Sequence, residues 1–304
     1  MSPAALAQHW DAESLRQRLL PLLPLPPQLS VEVVGRCAST NTELVERARR
    51  AGGELAPCLL VAEQQTQGRG RLGRGWVSAA GASLTFSLAL PLAPRDWSGL
   101  SLAVGLALAE ALDPPHAVSE APAPDAPRIM LKWPNDLWLA DAAGRKLGGV
   151  LVETLSAGPR RLCVIGVGLN VLPLPQALHQ RLAGLASGYA CLQELHPLAQ
   201  VHAPEVLAAV APALVRALRA FEGAGFAPLA APYAARDLLR GRAVATSLPQ
   251  WPEGIAEGVD ESGALVLRAG GQRQRIVSGE VSVRPAEWRA DRPVTQGAQS
   301  AESA

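Results

Sequence analysis

The sequence is poor in charge, in aromatic residues and in paired cysteines. Only 18% of its 304 residues are Lys, Arg, Asp or Glu, against a usual share of about 25%. With a formal net charge of +1, no global field draws the chain to nucleic acid or a membrane surface, so basic function has to come from local clusters. Cys37, Cys58, Cys163 and Cys191 form no CxxC pair, and His9, His116, His179, His196 and His202 lack ligand spacing. A disulfide framework and a zinc site are both disfavoured, and four reduced thiols are expected. No uncharged apolar stretch reaches the roughly 20 residues of a membrane span. The nearest, Leu100–Leu112, is short and carries Glu110. No basic segment followed by an apolar core marks the N-terminus for export, so a cytoplasmic location is expected.

Hydrophobic residues make up 48% of the chain, enough for a sizeable core, and the length allows one large and one small domain. Residues 1–30 read as an extension: a short helix, Ala12–Leu20, stopped by prolines at 21, 24, 26 and 27. Val31–Val34 reads as a strand. Thr40, with Glu43 three residues on, gives a helix N-cap signature for Thr42–Arg50. Cys58–Glu63 and Ala82–Leu90 read as strands, Ser98–Leu112 as a helix and His116–Pro127 as an exposed loop. Arg128–Lys132 and Leu137–Ala140 are strands, Asp141–Gly144 a turn, and Lys146–Leu155 with Arg161–Asn170 a strand pair. Residues 172–205 look irregular. Val206–Phe221 and Pro228–Leu239 read as helices. Beyond Gly241 come five short strands separated by turns, the pattern of a small β-barrel. Ala290–Ala304 is polar and reads as a disordered tail.

Four segments could carry chemistry. Gly68–Gly75 alternates glycine, which lets backbone N–H groups approach an anion, with arginines that pair bidentately with phosphate or carboxylate. It is neither a Walker A loop nor a GxGxxG turn, and alone it reads equally as a flexible RNA-binding loop. Lys132-Trp133-Pro134-Asn135-Asp136 follows a strand, where Lys132 can neutralise an anion and Asn135 and Asp136 can hold a ribose, a base or magnesium. A polar turn explains it as well. In Arg145–Glu153, Lys146 precedes two glycines and reads either as an anion ligand or as an exposed hairpin lysine. In Gly166–Asn170, strand glycines mark a close backbone approach or simply a strand end.

In this order, these pieces together with Ser39-Thr40-Asn41, Glu63-Gln64-Gln65 and Gly279–Arg284 resemble the biotin–protein ligases, over residues 30–285. The resemblance implies an α+β fold. A mixed sheet packed on helices (the class II synthetase-like catalytic domain of biotin and lipoate ligases) would occupy 31–239, and a small SH3-like barrel 240–288. It implies synthesis of biotinyl-5′-AMP from biotin and ATP with Mg²⁺, then transfer of biotin to a lysine of a biotin carboxyl carrier domain. By position, Ser39, Thr40, Asn41 and Gln65 would meet the biotin ring, and Arg69, Gly70 and Arg71 would form a loop closing over biotin and phosphate. Lys146, beside Gly149, would touch the carboxylate and α-phosphate. Trp76, Lys132, Asn135, Asp136, Asn170 and Arg284 would surround the nucleotide, with Asp136 the one candidate for magnesium. Catalysis would fall to Lys146, Arg71 and Arg69. Only 38 proline-broken residues precede Ser39, so the DNA-binding helix-turn-helix of some members is not expected. Monomer and homodimer both stay open. A lipoate-type acyl transferase is the nearest alternative, and an RNA-binding module the alternative from another class.

Overall fold

The computed structural model describes residues 2–24, 28–52, 55–114, 128–141, 144–157, 160–178, 188–196, 199–277 and 282–286. The loop His116–Pro127, the middle of the turn Asp141–Gly144, Gly279-Glu280-Val281 and the tail Ala290–Ala304 fall outside them.

A mixed sheet forms the frame. Its strands are β1 (Ser30–Cys37), β2 (Cys58–Gln65), β5 (Ser83–Leu92), β6 (Ile129–Lys132), β7 (Asp136–Leu139), β8 (Arg145–Ala157) and β9 (Arg160–Asn170), with the short β10 (Gly188–Tyr189). The spatial order is β1-β2-β5-β9-β8-β7-β6, and β10 lies beside β8. The β1–β2 and β10–β8 pairs are parallel and the others antiparallel. Period-2 alternation divides the side chains between two faces. Leu59, Val61, Leu84, Phe86, Leu88, Leu90, Cys163, Ile165, Val167 and Leu169 join one core with helices α4 (Leu100–Leu112) and α5 (Ala203–Ala224). Cys58, Leu60, Ala89, Leu162 and Val164 meet Leu44, Val45 and Ala48 of α3 (Thr40–Arg50) on the other face. Helix α5 earns its length from an apolar stripe, Val206, Leu207, Val210, Leu214, Val215, Leu218 and Phe221, and stops at Gly225, whose φ is +67°.

Four differences from the sequence reading have physical causes. Before Ala12–Leu19 (α2) lies a further helix, α1 (Pro3–His9), capped by Ser2 and packed through Leu6 against the core. The cap of α3 is Ser39, not Thr40: the Ser39 hydroxyl accepts from the Thr42 N–H at 3.4 Å, which frees Thr40 for other work. The arginine–glycine segment is regular at its base. There β3 (Gly68–Arg69) pairs with β4 (Gly75–Trp76), and Gly70 donates to Arg74 O at 2.7 Å. The tip turns through positive φ at Leu72 and Gly73. The helix expected over Pro228–Leu239 is only α6 (Ala230–Ala234), because the following residues run alongside β6. Leu131 donates to Arg236 O at 2.7 Å and Leu238 to Leu131 O at 2.9 Å, while the buried Arg236 pairs with Asp113 at 2.9 Å. The five short strands expected beyond Gly241 are present: β11 (Ala243–Thr246), β12 (Glu253–Val259), β13 (Leu265–Ala269), β14 (Gln272–Ile276) and β15 (Val283–Pro285) form an antiparallel sheet ordered β14-β13-β12-β11-β15. Among the described residues its edges β14 and β15 are not paired to close a barrel.

Candidate active site

Where β9 nears its end, the α3 face of the sheet loses its side chains. Gly166 and Gly168 lie on β9, and Gly149 on β8 pairs with Gly168. Their absent side chains leave room that others fill. A Cβ on Gly168 would stand 2.6 Å from the Trp76 ring, and one on Gly166 would overlap the Asn41 amide. A cavity of about 490 Å³ opens here, between α3, the β3–β4 hairpin, the ends of β6 to β9 and the small sheet. Ser39, Thr40, Asn41, Gln65, Arg69, Gly70, Arg71, Trp76, Lys132, Asn135, Asp136, Lys146, Gly149, Asn170 and Arg284 all line it. The sequence thus brings every candidate residue to one place, although their roles are a separate matter.

One end of the cavity is uncharged and closely hydrogen-bonded. Gln65 Oε1 accepts from the Thr40 N–H at 2.7 Å and lies 3.1 Å from Thr40 Oγ1. The fully buried Ser87 hydroxyl sits 2.7 Å from Thr40 Oγ1 and 2.6 Å from Asn41 Oδ1. Asn41 Nδ2 donates to Glu153 Oε2 at 2.9 Å and to Leu151 O at 3.3 Å.

The other end is cationic. Lys146 Nζ donates to Asp136 Oδ1 at 2.7 Å, and Lys132 Nζ lies 3.9 Å from Asp136 Oδ2. Burial pushes the Lys132 ammonium down to about 8, with Lys146, Arg74 and Arg284 adding to that and Asp136 opposing it. Burial would raise the Asp136 carboxyl, but Lys146, Lys132 and Arg71 outweigh it and hold Asp136 below the usual carboxylate range. Burial also lowers Arg71, helped by Arg74 and opposed by Asp136. Lys146 stands 6.0 Å from the Trp76 ring centroid and Lys132 5.6 Å from that of Trp138. Arg74, from the hairpin, donates to Ser282 Oγ of the small sheet at 3.1 Å.

Two asparagines serve the scaffold as well as the cavity. Asn135 Nδ2 donates to Val150 O at 2.7 Å. Asn170 Nδ2 bridges Ala190 O at 2.8 Å and Lys146 O at 3.1 Å, fixing the backbone from which Lys146 projects. Asp136 is the one carboxylate lining the cavity, so a magnesium ion brought with ATP phosphates would meet it here. Among the described residues no three His, Cys, Asp or Glu side chains cluster, and an ammonium already faces each Asp136 oxygen. Arg74, Tyr189, Trp138 and Ser282 also line the cavity and were not singled out from sequence. Arg74 has a signal as the third arginine of the loop and Ser282 as a member of the Gly279–Arg284 segment, whereas Tyr189 has none.

Residues 34–170 match the Biotin/lipoate A/B protein ligase family, and residues 250–284 match the Biotin protein ligase C terminal domain. The chain is 36% identical to the biotin–[acetyl-CoA-carboxylase] ligase of Mycobacterium tuberculosis, over 89% of this chain and 94% of that one. It is also 36% identical to the bifunctional ligase/repressor BirA of Escherichia coli, over 85% of this chain and 75% of that one. The biotin protein ligase of Aquifex aeolicus, solved in complex with biotin and ATP, superposes with a TM-score of 0.64 at 28% identity, covering 84% of this chain and 99% of that one. With such relatives matched over most of its length, and both family segments present in order, this chain belongs to the biotin protein ligases of the biotin/lipoate A/B protein ligase family.

Proposed function

We propose that the protein activates biotin with ATP to biotinyl-5′-AMP and transfers the biotinyl group to a lysine of a biotin carboxyl carrier domain. One observation carries this reading: a single cavity joins an uncharged, hydrogen-bonded end at Thr40 to a cationic end at Lys132 and Lys146. A ligand with a polar, neutral head and an anionic tail fits that polarity, and biotin has both in its ureido ring and its carboxylate.

In this reading Ser39, Thr40, Asn41 and Gln65 take the ureido ring, and Gly149 gives the chain room beside Lys146. The carboxylate attacks the α-phosphorus of ATP and pyrophosphate leaves. Two anions meet in that step, and Lys146, Arg71 and Arg69 stabilise the charge that builds up. Trp76, Lys132, Asn135, Asp136, Asn170 and Arg284 hold the nucleotide, with the Asn135 and Asn170 carbonyl oxygens turned to it, since both amide nitrogens are bonded to backbone. Asp136 is the residue that would hold magnesium entering with ATP, and the ion would neutralise phosphate charge there. In the second step a neutral lysine amine attacks the acyl carbon, an amide forms and AMP leaves. The β3–β4 hairpin covers the mixed anhydride meanwhile and keeps water away. Residues 31–239 form the catalytic unit, and 240–288 a smaller unit that adds Arg284. Among the described residues no helix is long and apolar enough to cross a membrane; the reading places the reaction in the cytoplasm.

The test is incubation of the purified chain with ATP, Mg²⁺ and either biotin or lipoate, mass analysis of the acyl-AMP, then transfer of labelled biotin to a carrier domain. Lipoyl-AMP without biotinyl-AMP would replace this reading with the lipoate one.

A further inference from the structure

Glu153 does not line the cavity, yet its carboxylate touches two groups that do. Oε2 accepts from Asn41 Nδ2 at 2.9 Å, and Oε1 lies 4.0 Å from Arg69 Nη1. The bond to Asn41 settles the direction of every proton behind the neutral end of the site. Both acceptors facing Asn41 Nδ2, Glu153 Oε2 and Leu151 O, carry no hydrogen, so the amide must present Oδ1 to Ser87. An amide oxygen has no hydrogen either, and the 2.6 Å contact therefore consumes the one hydroxyl proton of Ser87. The 2.7 Å contact between Ser87 Oγ and Thr40 Oγ1 then draws on the Thr40 proton. The 3.1 Å contact from Thr40 Oγ1 to Gln65 Oε1 is the longer and weaker claim on that same proton. Thr40 Oγ1 is left to face the cavity with lone pairs only.

We infer that Glu153 is a positioning residue: through Asn41 and Ser87 it sets the Thr40 hydroxyl as an acceptor, so that this end of the site selects a ligand bearing an N–H donor. The inference rests on the proposed function and deepens it, because a ureido ring presents such a donor and a dithiolane ring does not. Without Glu153 the Asn41 amide keeps only its longer 3.3 Å bond to Leu151 O, too weak a hold to stop it turning. Nδ2 would then donate to Ser87, Ser87 to Thr40, and Thr40 would offer a proton where the ligand also offers one. An unmatched buried donor of this kind costs a large part of the binding it should support.

The experiment compares the full chain with Glu153→Ala, Glu153→Gln, Ser87→Ala and the Glu153→Ala/Ser87→Ala double variant, each checked by thermal melting. Biotinyl-AMP formation is followed at varied biotin and varied ATP. Glu153→Ala should raise KM for biotin about tenfold or more and leave KM for ATP within about twofold. Glu153→Gln, whose carbonyl can still accept from Asn41, should recover most of the loss. The double variant should bind biotin no worse than Ser87→Ala, because the relay is already cut. Equal rises in both KM values, no recovery with Gln, or full additivity in the double variant would overturn the assignment. Should Glu153→Ala not fold, Glu153→Gln and Ser87→Ala carry the same comparison. If the wild-type chain forms no biotinyl-AMP, the functional reading falls by itself. The relay is then judged on the selectively labelled Asn41 side-chain amide. Slow hydrogen exchange lost in Glu153→Ala and kept in Glu153→Gln supports it, and exchange unaffected by either change rejects it.

Discussion

Lys146 and Asp136 are hydrogen-bonded at 2.7 Å on the floor of the cavity, and Lys132 closes on the other carboxylate oxygen at 3.9 Å. The carboxylate thus holds two ammonium groups near one another. The arrangement positions Lys146 before the reaction begins, which is where a fixed charge helps most. Lys146→Ala should lower kcat/KM for adenylate formation by roughly 30-fold or more, the lower end of the range for removing one member of a hydrogen-bonded charge pair (about 2–5 kcal/mol when buried), since this pair is half-buried. The melting curve should keep its cooperative shape. Pyrophosphate release at saturating biotin checks it, and unchanged turnover would remove Lys146 from the mechanism.

Lys132 predicts a pH dependence. Its ammonium is buried and pushed down to about 8 from the ordinary 10.5, so it is charged below about pH 8 and loses its charge as pH rises through that value. If it neutralises the nucleotide, KM for ATP should rise across that window while KM for biotin stays level. Lys132→Met should abolish the limb and show, already at pH 7, the weakened ATP affinity that the wild type reaches on the alkaline side. An alkaline limb that persists in Lys132→Met would assign the titration to another group.

The glycines of β9 predict two distinct losses. Alanine at Gly166 would drive a Cβ into the Asn41 amide, while alanine at Gly168 would drive one to 2.6 Å from the Trp76 ring. Neither cavity wall can yield without moving a group bound to the site. Gly166→Ala should therefore raise KM for biotin, and Gly168→Ala should raise KM for ATP, each by about tenfold or more, on the scale of about 1–3 kcal/mol for overpacking. Titration of each variant with biotin and with an ATP analogue separates the two. A common effect of both variants on both ligands would mean that the glycines serve only the sheet.

Which parts of this were legible in advance follows from how local their causes are. The β8–β9 pair and α5 were readable because alternation and helical spacing are properties of a few neighbouring residues. The arginine–glycine segment reads as a loop and not as a hairpin, since pairing of Gly68 with Trp76 depends on a register that glycine does not encode. The end of α6 was hidden because what competes with the helix is β6 and Asp113, far away along the chain. Thr40 reads as a cap because Glu43 follows at the right spacing, whereas Ser39 takes that place because Thr40 has partners on β2 and β5. Ser87 carried no signal: serine in an apolar strand looks like an outward-facing residue until its two neighbours are known.

Trp133 ties the large sheet to the small one, and this joint makes a last prediction. Its indole N–H donates to Gly263 O at 3.1 Å in a fully buried position. Gly263 has φ +80°, and a Cβ on it would stand 2.7 Å from Gly99 Cα, so the two backbones touch where no side chain can intervene. Trp133→Phe keeps most of the apolar surface and leaves the Gly263 carbonyl without its donor. It should lower unfolding free energy by about 1–3 kcal/mol with an unchanged urea m-value. Gly263→Ala adds backbone strain to a contact that cannot relax by a rotamer change, and should cost more. Because Arg284 reaches the cavity from the small sheet, both variants should also weaken ATP more than biotin at temperatures where they remain folded. Urea denaturation and paired KM measurements test this. A stability loss with no change in the ratio of the two KM values would show that the small sheet contributes to folding alone and brings nothing to the nucleotide.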